Sequence, residues 1–297
     1  MERKWSGKTQ GGTFGQKSVL FYFKYGSLRF IYLILYLIIP FYLIFDKKGV
    51  RVTKWYALNC IGIHPRKLRK FLFRVYYNFG QVFLDRFALL GNPKNKFNFT
   101  IENEPAFQEL LNQEKGFLIV SAHVGNFELL SYSMGKIEKT LRPILFGGEA
   151  EVFKQMRNTI FKDKNIDPIV LDETGSYIFD INSALMNGDI VSMPSDRILG
   201  KMKHFSSDFL GHKAKFPLGV FQIAATLNVP IVAIFVVKES NKNFKVLVNP
   251  INLIEENQSN PLKAQLLGQQ YVKHLEELIN KYPDQWYNFY PFWDEQA

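Results

Sequence analysis

The stretch GFLIVSAHVGNFELL, residues 116–130, decides which fold we expect for this chain. Residues 116–120 form an apolar run, which is typical of a strand that is covered on both faces of a sheet. Gly125 then interrupts the pattern, and residues 127–130 resemble the start of a helix. The stretch therefore predicts a buried strand, a sharp corner and a helix.

The corner carries a histidine and a glutamate five positions apart, His123 and Glu128. In a straight helix their side chains would diverge by about 140°, but the break at Gly125 removes that restriction. An imidazole accepts a proton near neutral pH, and a carboxylate on its other nitrogen fixes the tautomer and stabilises the cation. We predict His123 as the general base and Glu128 as the group that orients it. A merely hydrogen-bonded histidine near a helix start is the structural alternative.

Further segments give this short pattern a context. GNFE at residues 125–128 is followed by MPSDRILG at 193–200, FLG at 209–211, FPLG at 216–219 and YPDQWY at 282–287. With these blocks the chain resembles the lysophospholipid acyltransferase superfamily and, within it, the lipid A biosynthesis (lauroyl/myristoyl) acyltransferases. The resemblance implies transfer of a fatty acyl chain from a thioester of acyl carrier protein or coenzyme A to a hydroxyl of an anionic glycolipid, without a further cofactor.

The resemblance also implies the substrate-binding residues. They are Asn126 in the first block, Asp196 and Arg197 in the second, and Arg157, which is loosely in register with a basic segment of the family. The pair Asp196 and Arg197 stands where Asp-Gln or Asp-His is more familiar, so the acceptor is less well defined than the reaction. Arg197 either grips phosphate through its guanidinium or pairs with Asp196.

A basic stretch follows the second block. Residues 201–215 carry four lysines and two histidines, and Lys215 is the member that we predict to bind substrate. We interpret the stretch as a loop that contacts a lipid phosphate or the acidic face of a carrier protein, with a merely solvated loop as the alternative. The five histidines of the chain lack the spacing of a zinc site, so we predict no metal.

The charge of the chain is concentrated at its N-terminus. The whole chain has a net charge of +10, and residues 1–75 hold 15 Lys and Arg against 2 acidic residues. Such a segment binds nucleic acid or an anionic membrane surface. The neighbouring residues 30–45 are uncharged and rich in aromatic rings, which favours the membrane. We predict no nucleic-acid partner.

Residues 30–45 are short for a membrane span. Sixteen residues at about 1.5 Å each fall below a hydrocarbon core of about 30 Å, so a short span and a deep interfacial helix are both compatible with the sequence. Asp46-Lys47-Lys48 follow where a cleavage site would need small residues, so we expect an uncleaved anchor. We predict attachment to the cytoplasmic face of the inner membrane, and a buried soluble helix is the alternative.

The remaining sequence predicts a mixed α/β sheet flanked by helices, of the glycerolipid acyltransferase kind. The expected strands are 116–122, 141–147, 166–171, 189–194, 230–238 and 244–249, and the expected helices are 105–114, 127–136, 149–162, 174–187, 217–228 and 261–282. His123 and Asp196 both follow strands, so we expect them at one edge of the sheet.

We divide the chain into an anchor, 1–50, and an acyltransferase domain, 51–297. A catalytically inactive protein that docks on membranes is the alternative from another functional class.

Overall fold

The structure is a computed structural model that describes residues 22, 26–91, 97–134, 137–146, 165–171, 175–198, 200, 202–252 and 258–293. The helices are α1 (Leu28–Phe45), α2 (Lys47–Asn59), α3 (Leu68–Gly91), α4 (Glu104–Asn112), α5 (Leu130–Ser133), α6 (Tyr177–Met186), α7 (Gly219–Leu227) and α8 (Asn260–Lys281). Short 3-10 turns occur at Pro65–Lys67, Phe127–Leu129 and Pro283–Gln285. The predicted helix 149–162 lies outside the described residues.

The strands are β1 (Asn98–Glu102), β2 (Phe117–Ser121), β3 (Leu141–Phe146), β4 (Ile169–Leu171), β5 (Ile190–Pro194), β6 (His204–Phe209), β7 (His212–Pro217), β8 (Ile231–Lys238) and β9 (Asn243–Ile251). Seven of them form one sheet in the order β1-β9-β8-β2-β5-β3-β4. The pairing of β8 with β9 is antiparallel, and the other described pairings in this sheet are parallel. The predicted mixed α/β fold is confirmed.

The central strand β2 is buried along its whole length, as its apolar run predicts. Leu118 and Val120 pack on one side of the sheet, in a cluster that includes residues of α7 and α8. Phe117 and Ile119 pack on the other side, against Phe107 of α4. Successive side chains of β2 point to opposite faces of the sheet, so β2 contributes to both halves of the core. This packing fixes the position of its carboxyl end.

The prediction of a loop at residues 201–215 was wrong. Most of this stretch lies in an antiparallel hairpin of β6 and β7, which begins at His204 and extends to Pro217. The turn residues Leu210 and Gly211 have φ angles of 51° and 83°, which suits the right-handed twist of a two-residue hairpin. Turns of this type usually contain Asn-Gly or Asp-Gly, so Leu-Gly concealed the hairpin.

The apolar helix α1 packs along α3 with one side. The residues that face the protein, Leu28, Ile31, Leu35 and Ile39, are at most 9% exposed. The other side presents large apolar residues to the outside; Leu37, for example, is 80% exposed. Of the helices described here, α1 is the one that is long and apolar enough to cross a membrane. The proposed division at residue 50 falls inside α2 and stays a prediction.

Candidate active site

The predicted corner lies at the carboxyl end of β2. Gly125 has a φ of 60°, and a Cβ atom at this position would lie 2.0 Å from the carbonyl oxygen of Val236. The next backbone N–H, that of Asn126, donates a hydrogen bond of 2.6 Å to the same oxygen. Glycine is therefore required here, both for the left-handed conformation and for the close approach of two backbone segments.

His123 is held by the carboxylate of Asp196, which follows β5. The imidazole Nδ1 lies 2.8 Å from Oδ1 of Asp196, and the backbone N–H of His123 donates to Oδ2 at 3.0 Å. The indole N–H of Trp286 donates to the same Oδ2 at 3.3 Å. β2 and β5 are parallel neighbours, so their carboxyl ends place both residues at one edge of the sheet.

The environment keeps Asp196 ionised. Burial alone would raise its pKa, but the charge of His123, the hydrogen bonds from His123 and the nearby Arg197 lower it to about 2. A carboxylate only accepts hydrogen bonds, so Nδ1 of the neutral ring is the donor and the lone pair lies on Nε2. His123 is therefore in the tautomer that a general base needs, and its side chain is 20% exposed.

The role that we predicted for Glu128 requires a correction. The carboxylate bonded to His123 is that of Asp196, whereas Oε2 of Glu128 accepts a hydrogen bond of 2.7 Å from Arg86 in α3. Gly125 turns the chain into the 3-10 turn Phe127–Leu129, and Glu128 there faces α3. Both partners of this ion pair are largely buried, with side chains 10% and 16% exposed.

Asn126 also has a partner that differs from the predicted one. It is 1% exposed, and its side-chain N–H donates to Oδ2 of Asp85 at 2.8 Å. A buried amide with a carboxylate partner holds the turn in place rather than offering itself to a substrate.

Arg197 lies beside the His123–Asp196 pair. Its guanidinium donates to the carbonyl oxygen of Tyr287 at 2.8 Å and lies 5.7 Å from the centre of the Tyr290 ring. The hydrogen-bond partner of Arg197 is thus the carbonyl of Tyr287 and not the carboxylate of Asp196, and binding of phosphate stays a prediction. Lys215 is exposed on β7, and Arg157 lies outside the described residues, so their predicted roles are also untested.

A C-terminal segment completes the corner. The backbone N–H of Gly125 donates to the carbonyl of Gln285 at 2.7 Å, and that of Tyr287 donates to the carbonyl of His123 at 3.0 Å. Trp286 between them is buried, and its indole binds Asp196. Residues 285–287 thus clamp the turn at residues 123–126, which we call the catalytic turn after the role that we predict for His123. The run YPDQWY was one of the blocks that carry the family resemblance, but it did not indicate that this segment contacts His123.

No metal centre is evident in the described ranges, where no three His, Cys, Asp or Glu side chains lie close enough together to hold an ion. The arrangement that the structure does show is the imidazole of His123 in contact with the buried carboxylate of Asp196, which fixes its tautomer. Such a pair removes a proton from a hydroxyl group.

Comparisons with known proteins assign the chain to a family. A family model described as bacterial lipid A biosynthesis acyltransferase matches residues 58–295. A search of curated proteins gave no match. Among solved structures, the chain is similar to the 1-acyl-sn-glycerophosphate (LPA) acyltransferase PlsC from Thermotoga maritima, with 13% identity and a TM-score of 0.38 over 85% of this chain and 98% of that one. The family match spans most of the chain, so this protein belongs to the bacterial lipid A biosynthesis acyltransferase family and is an acyltransferase.

Proposed function

We propose that the protein transfers a fatty acyl chain from a thioester of acyl carrier protein or coenzyme A to a hydroxyl of a lipid A precursor. The observation that carries this proposal is the contact of His123 with the buried carboxylate of Asp196. Membership of the family supports an acyl transfer to lipid. The identities of the thioester donor and of the lipid acceptor go beyond what the family match shows.

In the proposed reaction, Nε2 of His123 removes the proton of the acceptor hydroxyl as its oxygen attacks the thioester carbonyl carbon. Asp196 stabilises the imidazolium that forms. The tetrahedral intermediate collapses with cleavage of the carbon–sulfur bond, and the imidazolium returns its proton to the departing thiolate. A thiolate is a good leaving group, so the transfer needs neither a covalent enzyme intermediate nor a further cofactor.

An anionic acceptor suits the surroundings of the base. Arg197 follows Asp196 directly and keeps its guanidinium near the site through Tyr287. A planar guanidinium binds phosphate with two parallel hydrogen bonds. Lys215 and Arg157 are the further cations that we propose for the acceptor or for an acidic carrier protein. A lysophospholipid, an amino-acid lipid or an aryl or polyene lipid is the alternative acceptor.

We further propose that the protein acts on the cytoplasmic face of the inner membrane. The outer side of α1 is apolar and aromatic, and exposed cations follow it at Lys47, Lys48, Arg66 and Lys67. Aromatic residues favour the membrane interface, and Lys and Arg favour anionic headgroups. α1 packs along α3 from Leu28 to Ile39, so one of its sides is covered by protein. This favours a helix that lies in the membrane interface and disfavours a span that is surrounded by lipid.

Mass spectrometry of acyl transfer by the purified, detergent-solubilised chain tests the function. The assay combines acyl carrier protein and coenzyme A thioesters with a lipid A precursor, a lysophospholipid and an amino-acid lipid. We expect transfer to the lipid A precursor. Transfer to another lipid would replace the acceptor, and a folded protein that transfers to none would support the catalytically inactive, membrane-docking alternative.

Variants of the base and of the two carboxylates test the mechanism in the same assay. His123→Ala should reduce kcat at least about a hundredfold, the lower range for a general base. Asp196→Asn should reduce it more than Glu128→Gln, because Asp196 is the group that fixes the tautomer. A greater loss in Glu128→Gln would return the orienting role to Glu128.

A further inference from the structure

A buried ion pair lies behind the catalytic turn. Asp85 of α3 has a fully buried side chain, and one of its oxygens, Oδ2, lies 2.7 Å from Nζ of Lys238, whose side chain is 12% exposed. The same Oδ2 accepts the hydrogen bond from Asn126 at 2.8 Å. The other oxygen accepts a hydrogen bond from the hydroxyl of Tyr32 in α1, which in turn accepts one of 2.5 Å from Nζ of Lys238.

Stability alone does not explain such a pair. Burial raises the pKa of Asp85 and lowers that of Lys238, and only their mutual attraction and hydrogen bonds oppose these shifts. Replacing a buried ion pair with apolar residues of similar volume is often neutral or even stabilising. The contacts that the pair makes with the rest of the fold give a better explanation.

Lys238 fastens both sides of the catalytic turn. Through Asp85 its side chain holds Asn126, the residue that follows Gly125. Its backbone N–H and carbonyl bind the side-chain amide of Gln285, each at 2.9 Å. The carbonyl of Gln285 accepts the N–H of Gly125. Two separate chains of hydrogen bonds thus run from Lys238 to the turn that carries His123.

We propose that the Asp85–Lys238 pair is a positioning device for His123, and that Tyr32 makes the apolar helix α1 part of it. This inference rests on the proposed function, since it assigns the pair to the reaction of His123. Neither Asp85 nor Lys238 is a hydrogen-bond partner of His123. The pair acts by fixing the turn, and a shift of the order of 1 Å in such a turn is sufficient to slow a reaction about a hundredfold.

An apolar replacement of the pair tests the proposal in the full-length protein. Asp85→Leu combined with Lys238→Met removes both charges but approximately keeps the branching of the first side chain and the length of the second. Loss of the ion pair itself is often neutral, but the amide of Asn126 and the hydroxyl of Tyr32 lose their acceptor, so we expect a folded variant with an unfolding midpoint somewhat below that of the wild type. We also expect kcat to fall at least about tenfold, with the KM of the thioester within about twofold. Tyr77→Phe is the control, because the hydroxyl of Tyr77 donates to the backbone carbonyl of Tyr32 and not to Asp85, and this variant should leave kcat unchanged.

A second readout does not depend on knowing the substrate. The rate at which diethylpyrocarbonate modifies His123, followed by peptide mass spectrometry, reports the exposure and environment of its imidazole. We expect the rate to change at least about threefold in the double variant. If wild-type protein transfers no acyl group, the proposed function fails, and this rate still decides whether the pair positions His123.

A stable double variant with wild-type kcat and an unchanged rate of His123 modification would overturn the proposal. If the double variant does not fold, Asn126→Ala takes its place, because it leaves the ion pair intact and removes its contact with the turn. In that variant the same fall in kcat with constant KM supports the proposal, and a kcat within about twofold of the wild type overturns it.

Discussion

At the scale of single residues, two carboxylates were candidates for the partner of His123. Glu128 follows His123 at a spacing that the sequence makes visible, and Asp196 follows it 73 residues later. In the structure Asp196 contacts His123, because β2 and β5 end side by side. Glu128 forms an ion pair with Arg86 instead. Both residues were evident as candidates, but only the pairing of strands could decide between them.

The depressed pKa of Asp196 predicts a pH dependence of stability. Its folded value is about 2 against an ordinary value of 3.8. Above the ordinary value the contacts of the carboxylate contribute fully to stability, and this contribution is lost as the pH falls through the folded value. The excess stability of the wild type over Asp196→Asn should therefore be constant above about pH 5 and shrink from about pH 4 to about pH 2.

Urea unfolding of both proteins at several pH values measures this difference, since acidic conditions affect their other carboxylates alike. A difference in unfolding free energy that stays the same from pH 5 to about pH 2 would contradict the assigned charge of Asp196.

At the scale of elements, the catalytic turn depends on one glycine. Gly125→Ala would place a methyl group against the carbonyl of Val236 and force a left-handed residue, so we expect a loss of more than about 3 kcal/mol in the free energy of unfolding. Gly62→Ala is the matched control. Its φ is 68°, but no atom lies within 4 Å of the added Cβ, so the cost should be about 1 kcal/mol. Denaturant unfolding measures both, and equal costs would contradict steric contact as the cause.

The elements that could be predicted are those with a strong apolar pattern. The expected strand 230–238 and helix 261–282 agree with β8 and α8 to within one residue at each end. β1 was missed because it is an edge strand in which no residue is fully buried. The hairpin of β6 and β7 was missed because serine, aspartate, histidine and lysine occupy most of its strand positions and its turn is Leu-Gly. The contact of Asp85 with Lys238 joins residues 153 positions apart, and no local pattern reports such a contact.

At the scale of the whole molecule, α1 gives the protein one strongly apolar outer surface. Replacing Leu37 and Phe41 with Ser should weaken binding to vesicles that contain anionic lipids at least about tenfold, because both side chains are more than half exposed and make little contact with the fold. Phe179→Ser on α6 is the control, since Phe179 is 77% exposed but lies in another element. Sedimentation with vesicles measures the binding.

An equal loss of vesicle binding in Phe179→Ser would contradict a specific role of α1. Unfolding midpoints of all variants should match that of the wild type, because these side chains contribute little to the core. A lower midpoint in the Leu37 and Phe41 variant would instead mean that the outer side of α1 stabilises the fold.

The clamp formed by residues 285–287 has a consequence for biosynthesis. The catalytic turn is made early, at residues 123–126, but its hydrogen-bond partners and the indole that binds Asp196 come from a segment translated more than 150 residues later. A ribosome that stalls before residue 285 therefore releases a product with a base and a carboxylate but without the contacts that align them. Incomplete chains should be inactive, so the cell gains acyl transfer only from a domain whose synthesis has passed this point.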